Sequence, residues 1–285
     1  MPIDKDKAMA ATFTPAEGSW KQDDVILYHL GLGAGLEKPT DAKELEYTYE
    51  KNLKALPSFG VVPVFDALGK GMGGTPGIEV NFALVLHGEQ DIEIHKPIPV
   101  AAQVVNQPRI AGIYDKGKAA LIIMEVTTSE KSGDKLFTNR FSIFARGEGG
   151  FGGDAGPKAG NAAPERVPDK VVESRTLPNQ ALLYRLSGDK NPLHADPDFA
   201  KMGGFDVPIL HGLCSYGIVC KAVVDTMLDG DVAAVARYQA RFAGVLFPGE
   251  TIVTSMWKEG NQILVAAKSK ERDAAVISNC AVTLR

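Results

Sequence analysis

The chain has 285 residues, of which 45% are hydrophobic and 23% charged, and a formal net charge of −4. That length suits two modest domains or one large one, and the composition excludes a disordered chain. So small a negative charge gives no reason to expect a nucleic acid or an anionic membrane as partner; phosphates on a ligand must be met by local Lys and Arg.

Residues 1–17 are polar and read as a loosely ordered tail, and a first folded unit is expected over 18–146. Within it, residues 23–35 start apolar and end among three glycines. The run Gly31-Leu32-Gly33-Ala34-Gly35 is not a dinucleotide loop, because no strand–turn–helix unit surrounds it. After Thr40 and Asp41, a segment of helix-forming composition runs until Pro57 stops it. Residues 58–72, SFGVVPVFDALGKGM, predict an apolar helix entered through Gly60, with Pro63 tolerable only in its first turn. From Ile78 the chain turns to β-branched, partly alternating runs with turns such as Ser132-Gly133-Asp134, which predict strands.

Residues 147–169 are rich in Gly, Ala and Pro, have little to bury, and mark a linker. The second unit, 170–285, repeats the order of the first. A helix over 180–186 leads into a polar loop, an apolar helix spans 211–228, and four strand-like runs follow. Helices first and strands after, twice over, make a duplicated α+β pattern. Laid against each other, residues 26–35 fall on 182–191, pairing Tyr28 with Tyr184 and Leu30 with Leu186. Gly33 then stands opposite Asp189, and Gly35 opposite Asn191. Only the second copy keeps reactive side chains. The first is expected to enclose a long ligand tail through Val61, Val62, Val64 and Phe65, residues that equally suit a plain core.

The loop of the second copy gathers Asp189, Asn191 and His194 within six positions and is stiffened by Pro192. A carboxylate beside an imidazole is an acid/base pair in which each tunes the other's proton affinity. Asp196, Pro197 and Asp198 then read as a helix start that braces the loop. The alternative is that Asp189 and Asn191 are turn formers after Gly188, with His194 an incidental neighbour.

The pattern Tyr184-x-Leu186-Ser187-Gly188-Asp189-x-Asn191-Pro192-Leu193-His194 resembles the signature of the MaoC-like, R-specific (type 2) enoyl-CoA hydratases. The stretches LPSFGVVPVF from Leu56, LHGEQ from Leu86, PILHGLCSYG from Pro208 and ARFAGVLFPGE from Ala240 match that family too, so the resemblance runs through almost the whole chain. It implies an α+β double hotdog, in which each half is a curved antiparallel sheet around one long central helix. It also implies a catalytic set of Asp189, His194 and Asn191, with the Gly212 N–H contacting the thioester oxygen. For the substrate and its CoA it carries over His87, Gly88, Lys116 and Phe242, to which Lys190, Pro192, Leu193 and Arg241 are added. His211 offers itself as a second catalytic histidine, but a packed or capping histidine is the preferred reading.

The activity implied is reversible addition of water to a trans-2-enoyl-CoA, giving a (3R)-3-hydroxyacyl-CoA in β-oxidation of fatty acids, with medium or long tails and sterol side chains as candidates. No cofactor is expected, CoA being part of the substrate, and no metal, since the histidines look too scattered. The remaining expectations are a homodimer and a bacterial cytoplasmic setting. The latter rests on three unpaired cysteines, the lack of a secretory or membrane-spanning stretch, and a C-terminus unlike the peroxisomal tripeptide. Rival readings are a carrier-protein dehydratase, a hotdog thioesterase and a non-catalytic acyl-CoA-binding module. The Asp-x-Asn-Pro-x-His spacing favours the hydratase.

Overall fold

The computed structural model describes residues 3–72, 75–80, 85–158 and 160–285. Residues 1–2 of the expected tail, 81–84 of the first expected strand and 159 of the expected linker lie outside that description. The alternating runs form ten strands: β1 Ala16–Trp20, β2 Val85–Ile94, β3 Ala102–Asp115, β4 Ala119–Glu130, β5 Lys135–Arg146, β6 Lys170–Arg175, β7 Val235–Phe242, β8 Thr251–Glu259, β9 Gln262–Ser269 and β10 Ala275–Leu284. They make one antiparallel sheet in the order β1-β3-β4-β5-β2-β7-β10-β9-β8-β6, five strands from each half. The halves meet at β2 and β7, where Glu89 pairs with Arg241 and Asp91 with Gln239. A partly buried charge cluster closes that seam: the Asp91 carboxylate accepts from Arg237 on β7 (2.6 and 2.8 Å) and from Arg140 on β5 (3.3 Å).

Among the described residues seven α-helices accompany the sheet: α1 Lys5–Met9, α2 Gln22–Gly31, α3 Ala42–Thr48, α4 Phe65–Met72, α5 Gln180–Tyr184, α6 Pro197–Met202 and α7 Gly212–Met227. The molecule is a double hotdog, with α7 as the central helix of its second half. From Leu213 to Cys220 every residue of α7 is buried, against a sheet whose inward positions are aliphatic and aromatic. Gly217 sits where a Cβ would lie 2.5 Å from the Leu32 side chain, so the glycine lets α7 press on the chain leaving α2.

The first half departs from the expected single long helix. Residues Pro57–Val61 form a buried 3-10 turn, and a separate helix, α4, starts at Phe65. Pro63 has no N–H to continue a helical ladder, so the chain changes direction there. At Gly60 a Cβ would stand 2.5 Å from Ile92 and 3.3 Å from Phe137, so this turn takes the central place by close approach. The helix expected after Asp41 also stops early, at Thr48, because Tyr49 is extended and Asn52 has φ +61°. His29, wholly buried on α2, ties these pieces together: its Nδ1–H donates to the Tyr47 carbonyl (2.9 Å) and its Nε2 accepts from the Leu56 N–H (3.3 Å).

Two segments read as loose are held in place. Asp4 caps α1, Ala8 is buried, Ile3 pairs with Ile78, and Ala16 already belongs to β1. The linker runs along the sheet on polar anchors in place of apolar ones. The Asp115 carboxylate accepts from the N–H groups of Gly150 (3.0 Å) and Gly152 (2.6 Å), the Asn279 amide donates to the Gly160 carbonyl (2.6 Å), and the Trp257 indole donates to that of Arg166 (2.8 Å). No helix among the described residues is long and apolar enough to cross a membrane.

Candidate active site

The polar loop takes its shape from local chemistry. Helix α5 tightens into a 3-10 turn over Arg185–Ser187 and is stopped by Gly188, whose φ of +122° only glycine adopts without strain. Asp189 turns the chain by accepting from the Asn191 N–H (3.2 Å), and Asn191 caps the next turn, Pro192–His194, by accepting from the Leu193 N–H (3.0 Å). Asp196 then caps α6 through the N–H groups of Asp198 and Phe199, with Pro197 in the first turn. Asn191 therefore spends its carbonyl oxygen on the fold, and its NH₂ remains as a donor.

Two histidines converge on this loop. His194 is buried, and its Nδ1 lies 2.9 Å from the Ile209 carbonyl. A carbonyl accepts only, so Nδ1 carries the proton and neutral His194 presents a bare Nε2. His211, immediately before α7, is fully buried and donates Nε2–H to the Asp189 carbonyl (3.1 Å). The two rings stack, with centroids 3.8 Å apart and planes 31° from parallel. One donor atom each from Asp189, His194 and His211 all lie within 4.8 Å of one another. The expectation that the histidines are too scattered for a metal site is thus corrected: the return of the chain to α7 brings two of them onto Asp189, and the three together form a group that could hold a metal ion. His211 is packed, as its apolar sequence context suggests, yet caps nothing with its side chain. The sequence reading missed that it touches both members of the pair.

Burial lowers the proton affinity of His194, opposed by the Ile209 carbonyl and by the Asp189 charge. Burial, then the neighbouring His194, pull His211 down to about 3. Burial likewise pulls His29 and His87 down to about 4. These shifts have a consequence for stability. An unfolded histidine takes up its proton near pH 6.5, whereas these three stay neutral in the fold until far lower, so between those limits the unfolded chain binds more protons. Their stabilisation is complete above about pH 6.5 and is lost as the pH falls towards 4, each histidine contributing up to about 1.4 kcal/mol per pH unit. Urea midpoints are expected to fall progressively between pH 6.5 and 4.5, and His29→Gln to flatten that slope. A midpoint flat across this window would contradict the assignment.

Gly212 is the first residue of α7, exposed, with an N–H that has no acceptor within the helix. A Cβ there would lie 3.1 Å from the Phe242 ring, and Phe242 in turn meets His87 edge-on at 5.0 Å. Gly212, Phe242 and His87 are therefore contiguous. The other proposed CoA residues differ in their surroundings. The Arg241 guanidinium is committed to Glu89 across the β2–β7 seam, so it does not stand free for a phosphate. Gly88 sits at an irregularity of β2 where a Cβ would be 2.5 Å from Phe144, a packing requirement of the sheet. Lys116 lies in the turn between β3 and β4, and β3 is the third strand across from β2, which carries His87. Its ammonium donates to the Pro157 carbonyl (3.2 Å). Lys190 and Pro192 are exposed on the catalytic loop, and Leu193 is half-buried against Gly203. Arg185, which the sequence reading passed over, donates to the Lys190 carbonyl (3.0 Å), and its charge further lowers both His194 and His211.

A cleft of about 680 Å³ reaches the loop at Ser187 and Gly188; Trp20, Leu27, Val62, Pro63, Phe65 and Leu186 line it, together with the charged Glu17, Asp24, Asp66 and Lys131. The Phe65 ring lies 3.2 Å from where a Gly188 Cβ would be. Of the four tail-pocket candidates, Val62 and Phe65 line this cleft; Val61 and Val64 are fully buried core.

A double hotdog with a carboxylate–imidazole pair beside the open first turn of its central helix has the frame of a hotdog enzyme capable of acid/base chemistry. Residues 19–147 match the MFE-2 hydratase 2 N-terminal domain, and residues 159–280 the MaoC like domain. The chain is 48% identical over 278 residues to enoyl-CoA hydratase ChsH3 of Mycobacterium tuberculosis, covering 97% of each chain. It is 40% identical over 291 residues to peroxisomal enoyl-CoA hydratase 2 of Arabidopsis thaliana, covering 97% of this chain and 94% of that one. The crystal structure of a MaoC-like dehydratase from Phytophthora capsici superposes with a TM-score of 0.90 at 32% identity, over 99% of this chain and 98% of that one. The chain belongs to the MaoC-like, type 2 enoyl-CoA hydratase family.

Proposed function

We propose that this protein adds water to trans-2-enoyl-CoA thioesters to give (3R)-3-hydroxyacyl-CoA, through Asp189 and His194 and without a cofactor. The carrying observation is that a carboxylate oxygen of Asp189 and a ring nitrogen of His194 lie within 4.8 Å of each other. One water at about 2.8 Å from each spans that separation. The Asn191 NH₂ donates to that water, and the thioester oxygen lies on the Gly212 N–H at the positive end of α7. As the water oxygen bonds to C3, His194 Nε2 takes its proton, and negative charge moves to the thioester oxygen. The imidazolium, steadied by the Asp189 carboxylate, returns a proton to C2 as the enolate collapses. One water is consumed, both groups are restored, and hydroxyl and hydrogen arrive from one face.

The acyl tail runs from Gly188 into the cleft along Phe65 and Val62, which suits medium or long chains, sterol side chains among them. The thioester arm passes Phe242 and His87, and Lys190 and Lys116 are the lysines proposed to meet the phosphates. Exposed Leu30 and Leu182, on adjoining helices, favour a homodimer, and three buried, unbridged cysteines favour a reducing cytoplasm. β-Oxidation is the setting that fits this substrate and product. The test is loss of the enoyl-thioester absorbance on mixing with a medium-chain trans-2-enoyl-CoA, with a (3R)-specific dehydrogenase reading the product. Release of free CoA without hydration would replace the proposal with a thioesterase. Phe65→Ala is expected to raise kcat/KM for a branched or ring-bearing enoyl-CoA relative to a short linear one by about 10-fold. An unchanged ratio would remove the tail from this cleft.

A further inference from the structure

The two halves of the chain provide an internal control. In each, a buried tyrosine packs on the residue that precedes the glycine at the entrance to the central segment. In the first half Tyr28 meets Phe59, before Gly60, with rings 5.5 Å apart; in the second Tyr184 meets His211, before Gly212, at 4.9 Å. Phe59 shows that an apolar ring fills this place. His211 fills it with two nitrogens, of which one, Nδ1, is buried and has no partner. An orphaned buried polar atom weakens a fold that a phenylalanine would serve. The other nitrogen holds the Asp189 carbonyl, and the ring lies flat on His194. Around Asp189 the loop is open to solvent: Gly188, Lys190, Asn191 and Pro192 are all exposed. The His211 N–H is thus the buried anchor for the residue that carries the carboxylate.

We propose that His211 is a positioning residue for hydration, whose Nε2–H fixes the Asp189 backbone while its ring fixes the plane of His194, so that carboxylate and imidazole keep the separation one water spans. The half that has lost the acid/base pair has a phenylalanine there, because it has nothing to position. The inference rests on the hydratase reading.

The test compares wild type, His211→Phe and His211→Gln on a medium-chain trans-2-enoyl-CoA, measuring kcat, KM and Tm. Phenylalanine keeps a ring and loses the donor; glutamine keeps a terminal N–H within reach of the Asp189 carbonyl and loses the ring. His211→Phe is expected to melt at or above the wild-type temperature, keep KM within about threefold and lose about 10- to 100-fold in kcat. His211→Gln should recover the part of that loss due to the missing donor and run faster than His211→Phe, short of wild type because the ring is gone. Full kcat in His211→Phe, a change confined to KM, or a glutamine variant as slow as the phenylalanine one would each overturn the assignment. His211→Leu, which also lacks the donor, takes the place of His211→Phe if that variant does not fold. A wild type that hydrates nothing would instead fail the activity reading, which separates the two.

Discussion

Changing Asp189 to asparagine is expected to lower kcat for enoyl-CoA hydration by about 10²- to 10⁴-fold while leaving KM within about threefold. The substitution is nearly isosteric, and its carbonyl oxygen still accepts from the Asn191 N–H that shapes the loop. What disappears is the negative charge that steadies a protonated His194, and an acceptor for the water. His194→Gln removes the base itself and should cost a similar factor. The two together should cost little more than the worse of them, because groups that share one water act as a unit and their losses do not add. Steady-state hydration rates of the four proteins, with Tm showing each to be folded, make the comparison. Losses that multiply would mean two independent roles. An Asp189→Asn protein that hydrates at the wild-type rate would remove the pair from the chemistry.

What the sequence made legible, and what it did not, follows the distance over which each feature is determined. Asp189, Asn191 and His194 share one short loop, and the capping and turn chemistry that shapes it is written within a few residues, so sequence spacing sufficed to place them together. The glycine-then-helix pattern at Gly212 was readable for the same reason. His211 meets Asp189 across 22 residues, through the return of the chain to α7, and no local pattern records that. Arg241 looked free for a phosphate because its partner, Glu89, stands 152 residues away on a strand that pairs with it only once the halves join. Likewise, neighbouring valines divide between core and cleft: Val61 and Val64 turn inwards while Val62 and Phe65 face the opening, since the expected helix is broken at Pro63. Composition alone made the first 17 residues and the linker look loose, because backbone N–H groups donated to Asp115 leave no trace in hydrophobicity.

The Gly212 N–H permits a test that most backbone donors do not. Proline at this position deletes the N–H, and the helix tolerates it, because the first amide of a helix has no partner inside it. The preceding residue is already suited: His211 has φ −56° and ψ 133°, the extended conformation required before proline. Alanine is the control, since alanine and proline both place a Cβ against the Phe242 ring, 3.1 Å from where the glycine leaves room. Gly212→Ala should therefore show the cost of crowding Phe242, mostly in KM, with the N–H retained. Gly212→Pro should show that cost plus a further loss in kcat of about 10²- to 10³-fold, the usual effect of removing one oxyanion donor, or about 3–4 kcal/mol of transition-state stabilisation. The developing enolate forms during the chemical step, so the difference between the two variants should appear in single-turnover rates and not in the binding of the saturated acyl-CoA. Equal rates for alanine and proline would mean that the thioester oxygen is stabilised by another group and that Gly212 serves only to let Phe242 close over the start of α7.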